Sequence, residues 1–225
     1  MPGFNNIVIV GAGPAGLLLA LLLSKEGITV RVLEKADQLD TNPRATHYGS
    51  PAVYELRRAG VLDDVQKQGF LPKGACWRKL DGSMIAGINN TDMEDDPDSM
   101  VCLPLNYLGQ ILYRHLQMQP TATVDWQHTV TAIGQDEEKA WVHVTIPDGS
   151  SVKVEADYIV GCDGASSMVR RSLFGDQGFP GFTWDKQLVA TNVCPFSFYN
   201  QIPRSHKSSN HEAYHVSSDT LRWLR

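Results

Sequence analysis

The stretch that most constrains this chain is its beginning. An apolar, largely β-branched run, Ile7-Val8-Ile9-Val10, passes directly into Gly11-Ala12-Gly13-Pro14-Ala15-Gly16. A long apolar helix pattern follows to about Glu26, with Gly27 as its cap, and then a second strand pattern, Thr29-Val30-Arg31-Val32-Leu33, which ends on Glu34. Strand, G-x-G-x-x-G, helix, strand and terminal acid in this order form the β-α-β unit that holds a dinucleotide. Gly11 gives the tight turn, Gly13 lets the backbone approach a pyrophosphate, and Gly16 lets the helix pack against the strand. Pro14 stands in the first helical turn, where a missing N–H costs nothing. With Ala15 it opens a helix whose free N–H groups and positive dipole end face the phosphates. Glu34 is placed to accept hydrogen bonds from ribose hydroxyls and to repel a 2′-phosphate, and Lys35 beside it joins the candidate contacts.

The rest of the chain predicts alternating elements. Ser50-Pro51 reads as an N-cap followed by a first-turn proline, starting a helix over Ala52 to Ala59 that ends at Gly60. Lys73 to Ile88 reads as a hairpin turning at Asp81-Gly82, and Asn89 to Ser99 as a polar loop. Leu108, Ile111, Leu112 and Leu116 form a helical stripe within Asn106 to Gln117. Short strands are expected at 123–126, 129–133, 141–146, 151–155 and 158–161, then a serine-capped helix over Ser166 to Phe174. After about Pro195 the texture becomes rich in Ser, Asn and His, which reads as an irregular tail over 197–225.

Bulk properties narrow the function classes. With 225 residues, 42% of them apolar and 20% charged, the chain is long enough for one or two globular domains. A net charge of −5 leaves no electrostatic footprint for nucleic acid. Cys76, Cys102, Cys162 and Cys194 are scattered, which suits reduced thiols rather than a disulfide framework or zinc site. The longest apolar run, Leu17 to Leu23, is too short for a membrane span, and too few residues precede Ile7 for a cleavable leader, so a cytoplasmic location is expected.

Two further segments choose among dinucleotides. Asn42-Pro43-Arg44-Ala45-Thr46 follows Glu34 after a short loop, and an arginine there can return over a bound pyrophosphate. Ala156 to Arg170 carries a buried strand, Tyr158-Ile159-Val160-Gly161, that ends in Asp163-Gly164 before a capped helix. With these motifs, residues from about 5 to 193 resemble the single-component FAD-dependent aromatic hydroxylases, the group A flavoprotein monooxygenases. The resemblance implies an α/β chain: a Rossmann-like FAD-binding domain with a partial mixed β-sheet substrate domain. The expected division is 1–72 with 105–182 for the FAD-binding part and 73–104 with 183–196 for the partial substrate sheet. It implies FAD as cofactor, held by Gly11, Gly13, Pro14, Ala15, Gly16, Glu34, Lys35, Arg44, Ala45, Asp163 and Gly164. Asp163 would lie near the ribose and pyrophosphate and also affect nicotinamide binding. Thr46 and His47 would lie nearer the flavin ring, although His47 reads equally as an ordinary loop residue. The family often places a Gln or Arg near the start of the helix after the hairpin region. Gln110 and Arg114 are the candidates here, although the usual position is not matched cleanly and a solvated helix face explains them almost as well.

The implied reaction is a hydroxylation: NADPH or NADH reduces FAD, O2 is activated, and one oxygen atom passes to an aromatic or polyketide-like small molecule. No catalytic residue is identified. A catalytically silent FAD-binding module and a flavin oxidoreductase without oxygen transfer are the alternatives. The family's second Gly-Asp motif is not found downstream. Gly175-Asp176 comes directly after a helix, without an apolar strand before it, and Leu188 to Val193 reads as the first strand of the substrate sheet. The expectation is therefore a truncated or alternatively ended member. His211-Glu212-Ala213-Tyr214-His215 matches H-E-x-x-H, but no apolar helix surrounds it, so no metal site is expected.

Overall fold

Every position from Ile7 to Val10 is apolar, and β1 (Asn6–Val10) accordingly lies at the centre of a sheet, buried on both faces. The computed structural model describes residues 5–42, 44, 46–79, 81–89, 96–176, 181–182 and 185. From β1 the chain runs through α1 (Pro14–Lys25), β2 (Thr29–Leu33), β3 (His47–Tyr48), α2 (Ser50–Arg58) and α3 (Leu62–Gln68). A hairpin of β4 (Gly74–Arg78) and β5 (Met84–Asn89) follows, then β6 (Val101–Cys102), α4 (Leu105–Gln117) and β7 (Ala122–Asp125). The described elements end with β8 (Thr129–Gln135), β9 (Ala140–Thr145), β10 (Ser151–Ala156), β11 (Tyr158–Gly161) and α5 (Met168–Phe174).

Two compact units are separable: Met1–Pro72 with Met93–Thr183, and Lys73–Asp92 with Trp184–Arg225. In the first, β11, β1, β2 and β7 form a parallel sheet in that order. Side chains alternate across a strand, so β1 serves two cores. Ile7 and Ile9 join Leu17 and Leu21 of α1 and Leu108, Ile111, Leu112 and Leu116 of α4. Val8 and Val10 turn to the other face, against Val130, Val142 and Val144 of the antiparallel sheet β10-β9-β8 and Val169 of α5. Each such fully buried side chain contributes about 1.5–3 kcal/mol. The unit is thus three layers, helices on a parallel sheet on an antiparallel sheet, as the α/β expectation requires.

The second unit contributes, among the described residues, the β4–β5 hairpin. Its turn is fixed by Asp81, whose carboxylate accepts from the backbone N–H and the hydroxyl of Ser83 at 2.8 and 2.6 Å. Every strand residue of the hairpin is exposed.

Local differences from the expected elements have local causes. α2 is capped by Gly49, not Ser50, and begins at Ser50 with no side-chain cap. α5 begins one residue beyond its cap Ser167. α3 was not expected: it is short, and it is held by burial of Leu62 and Val65 with Asp63 and Asp64 in its first turn. No described helix is long and apolar enough to cross a membrane. The expected strand at Leu188 to Val193 and the H-E-x-x-H segment lie outside the described residues.

Candidate functional site

Parallel pairing aligns Val10 with both Leu33 and Gly161, so the carboxyl ends of β1, β2 and β11 open at one edge of the sheet. From β1 the chain steps to β2 and then β7 on one side and returns later to β11 on the other, and such a switch point is where open α/β sheets bind ligands. The glycine turn leaves β1 here. Gly11 donates its N–H to the Leu33 carbonyl at 2.8 Å, and Cys162 donates to the Val10 carbonyl at 2.8 Å.

The turn is tight enough to exclude side chains. Gly11 has φ +106°, and a Cβ there would stand 2.5 Å from the Cys162 carbonyl oxygen. A Cβ on Gly16 would collide with the Gly11 carbonyl oxygen. Gly13 differs: its backbone is extended (φ −69°, ψ 173°), and a Cβ on it would meet nothing within 4 Å. The space over Gly13 is therefore open, as a site for a pyrophosphate needs. Gly13 is also the N-cap of α1, with no side-chain cap and no acidic residue in the first turn. Pro14 has no N–H, and Ala15 and Gly16 stand where a helix leaves N–H groups without an intrahelical acceptor. The residues present fit an anionic dinucleotide.

Glu34 lies at the end of β2, beside the turn. Its carboxylate accepts the Ala12 N–H at 2.7 Å and the Ala36 N–H at 2.9 Å. Its backbone N–H donates to Asp125 at 2.9 Å, and its carbonyl accepts from His128 at 2.8 Å. The acid is thus fixed at both backbone and side chain. Lys35 next to it is exposed.

The Asp163–Gly164 segment follows β11 on the other side of β1. Asp163 is half-buried, and its carboxylate accepts from the Ser167 hydroxyl and from the N–H groups of Met168 and Val169. Gly164 is exposed. Ser167, which the motifs do not single out, is buried beneath this carboxylate. The signal that finds it is the capping pattern: an Asp and a Ser four residues apart, just before a helix.

The remaining candidates are engaged elsewhere or exposed. Arg44 is exposed and paired with Asp40 at 2.7 Å. The Asn42 amide, helped by Arg44, holds the Asp40 carboxyl below the usual carboxylate range. Ala45 lies outside the described residues. Gln110 is exposed on α4, and Arg114 pairs with Asp64 of α3 at 2.8 Å. His47 is part of β3, and its Nδ1 lies 2.8 Å from the Thr46 hydroxyl. Its neighbour Tyr48 is buried, and its hydroxyl finds no hydrogen-bond partner among the described residues. Gly175 caps α5, donating its N–H to the Arg171 carbonyl at 2.8 Å.

Residues 5–219 match a family described as FAD binding domain. The para-nitrophenol 4-monooxygenase of Pseudomonas sp. strain WBC-3 is 34% identical over 195 residues, which cover 86% of this chain and 48% of that protein. The 6-hydroxy-3-succinoylpyridine 3-monooxygenase of Pseudomonas putida strain DSM 28022 / S16 is 37% identical over 191 residues, covering 84% and 48%. Among solved structures, p-nitrophenol 4-monooxygenase from Pseudomonas putida DLL-E4 superposes with a TM-score of 0.74 at 32% identity, covering 82% of this chain and 46% of that one. A flavin-dependent monooxygenase solved with FAD and substrate gives 0.67 at 26% identity, covering 75% and 32%. The chain spans about half the length of the curated relatives it matches.

Proposed function

The chain belongs to the FAD binding domain family of flavoprotein aromatic hydroxylases, and from this premise we propose that it is the FAD-holding part of a monooxygenase. The proposed reaction uses NADPH or NADH and O2 to hydroxylate an aromatic or polyketide-like small molecule, in the cytoplasm. The observation that carries the reading is the open, uncapped start of α1 at the switch point, with Glu34 anchored beside it.

The roles follow from chemistry. The N–H groups of Gly13, Ala15 and Gly16 and the α1 dipole would bind the pyrophosphate. Pro14 fixes the backbone direction at the helix start without consuming a donor. Glu34, with one oxygen on Ala12 and the other on Ala36, retains lone pairs for the two ribose hydroxyls of the adenosine. Lys35 and Arg44 are the proposed cations flanking that end, with Ala45 beside Arg44. Asp163 and Gly164 are placed on the opposite flank of the turn. Gln110 and Arg114 are proposed as helix-borne contacts, and to act there Arg114 would have to leave Asp64. FAD, when bound, would supply the hydride-accepting and oxygen-activating chemistry, and these residues would hold and orient it. The proposed FAD-binding part comprises 1–72 with 105–182; of the 73–104 expected in the substrate sheet, Val101 and Leu103 instead pack in the core of the first unit, which leaves 73–92 with 183–196 as the proposed substrate sheet.

A second reading is an FAD-binding module without turnover of its own. It is favoured by the β4–β5 hairpin, whose strand residues are all exposed and enclose nothing by themselves. Purification of the chain with a flavin spectrum, followed by NADPH oxidation assays with oxygen and a panel of phenols, separates the readings. Flavin with product formation supports the monooxygenase, and flavin without turnover supports the module. A chain that takes up no FAD at any concentration sinks both.

A further inference from the structure

The carboxyl ends of β11, β1, β2 and β7 stand in a row at the edge of the sheet, with Leu33 of β2 level with Asp125 of β7. Neighbouring ends lie about 4.8 Å apart. A dinucleotide that lays its pyrophosphate over the turn after β1 and its ribose diol on Glu34 after β2 has one direction left. Its 5′ carbon points back toward β1, so the base, on the opposite side of the ribose ring, points on toward β7. The segment that leaves β7 is Trp126-Gln127-His128, and it is bonded to the chain leaving β2. Gln127 donates its N–H to the Ala36 carbonyl at 2.9 Å, and His128 donates to the Glu34 carbonyl at 2.8 Å. The Ala36 N–H is in turn held by the Glu34 carboxylate.

Of these three side chains, two are engaged. The Trp126 ring meets Tyr113 edge-on at 5.6 Å and donates its Nε1–H to the Tyr113 hydroxyl at 3.3 Å. The His128 Nδ1 lies 2.7 Å from the Trp126 carbonyl oxygen. Gln127 is exposed, and among the described residues only its backbone is hydrogen-bonded. Its φ is +58°, the one positive value outside glycine among the described residues. That conformation costs energy for any residue with a Cβ, and the turn alone is served best by Gly or Asn. A longer carboxamide where the turn does not favour it points to a contact made by the side chain.

We infer that Gln127 selects the base, its carboxamide pairing with adenine. A carboxamide offers one acceptor and one N–H side by side. That pair matches the N6–H and ring nitrogen of adenine, whereas the same edge of guanine shows two acceptors. The inference rests on the reading of the glycine turn and Glu34 as the FAD site.

The test uses the whole chain as wild type, Gln127→Gly and Gln127→Glu. ADP and GDP are titrated by calorimetry, FAD by quenching of flavin fluorescence, and stability is read by urea unfolding. The wild type should bind ADP about tenfold more tightly than GDP. Gln127→Gly, relieved of its backbone strain, should unfold at no lower urea than wild type. It should nonetheless bind ADP and FAD about tenfold more weakly, with GDP unchanged. Gln127→Glu keeps the length of the side chain and loses the N–H donor, so it should also close the gap between ADP and GDP. A gap that survives in Gln127→Gly would overturn the inference. Equal losses of ADP and GDP in that variant, with a lower urea midpoint, would reduce Gln127 to a structural role and also overturn it. A wild type that binds FAD but does not distinguish ADP from GDP sinks this inference and leaves the cofactor reading standing. A wild type that binds neither FAD nor ADP sinks the cofactor reading and this inference with it.

Discussion

The Glu34 carboxylate holds the Ala12 N–H at 2.7 Å, joining the end of β2 to the second residue of the glycine turn. The same carboxylate holds Ala36, so one side chain fixes the turn and the chain leaving β2. Glu34→Ala should therefore loosen the fold as well as the ligand site. We expect a loss of about 2 kcal/mol in urea unfolding, the scale of hydrogen bonds to a charged group, and FAD binding about tenfold weaker. Glu34→Gln, which keeps one acceptor oxygen, should lose less of both. Unchanged urea midpoints and FAD affinity in Glu34→Ala would contradict this role.

Tyr48 gives a prediction in the opposite direction. Its buried hydroxyl has no partner among the described residues, and burial pushes its pKa up to about 12. Removing an unsatisfied buried hydroxyl should stabilise, so Tyr48→Phe should gain about 1 kcal/mol. The wild type should also lose stability as pH rises from about 10 to 12. The unfolded phenol ionises across that window while the folded one stays neutral, so folding is disfavoured. Urea midpoints measured across this range should fall less steeply in Tyr48→Phe; parallel curves would argue against the assignment.

Asp64 sets the acid side. It accepts from His115 at 2.7 Å and Arg114 at 2.8 Å, clamping α3 to α4, and the His115 hydrogen bond, with Arg114, holds its carboxyl below the usual range. A depressed carboxyl stabilises above its unfolded pKa of about 4, and that contribution is lost as pH falls through the lower folded value. Melting curves at acid pH should therefore show Asp64→Asn less stable than wild type near neutrality, with the difference closing as pH drops below about 4. A gap that stays constant with pH would contradict the clamp.

The sequence was most legible where one physical requirement dominates. The apolar run Ile7–Val10, the glycines and Glu34 each answer to a separate demand of the same unit, and their order leaves little freedom. The α4 stripe was equally clear, because Leu108, Ile111, Leu112 and Leu116 repeat at helical spacing and all four are buried. Elements made by tertiary pairing were not legible. β3 and β6 are two residues each and exist because His47 and Tyr48 meet Cys102 and Val101 from a distant part of the chain. α3 has neither a side-chain cap nor a full amphipathic repeat to announce it. At the site, the sequence placed Asp163 beside the turn but could not show that its oxygens are spent on Ser167 and α5. Nor could it show that Arg114 faces Asp64.

The open space over Gly13 is the feature on which the cofactor reading turns. A methyl group there strains nothing in the protein itself, since the backbone is extended and no atom lies within 4 Å, whereas one on Gly11 meets the Cys162 carbonyl at 2.5 Å. The direct measurement is FAD titration by fluorescence quenching alongside thermal melts of wild type, Gly13→Ala and Gly11→Ala. The account predicts that wild type binds FAD and that Gly13→Ala melts like wild type yet binds at least about tenfold more weakly. Gly11→Ala should lose both stability and binding. Gly13→Ala binding FAD as tightly as wild type, or a wild type that binds none, would contradict it.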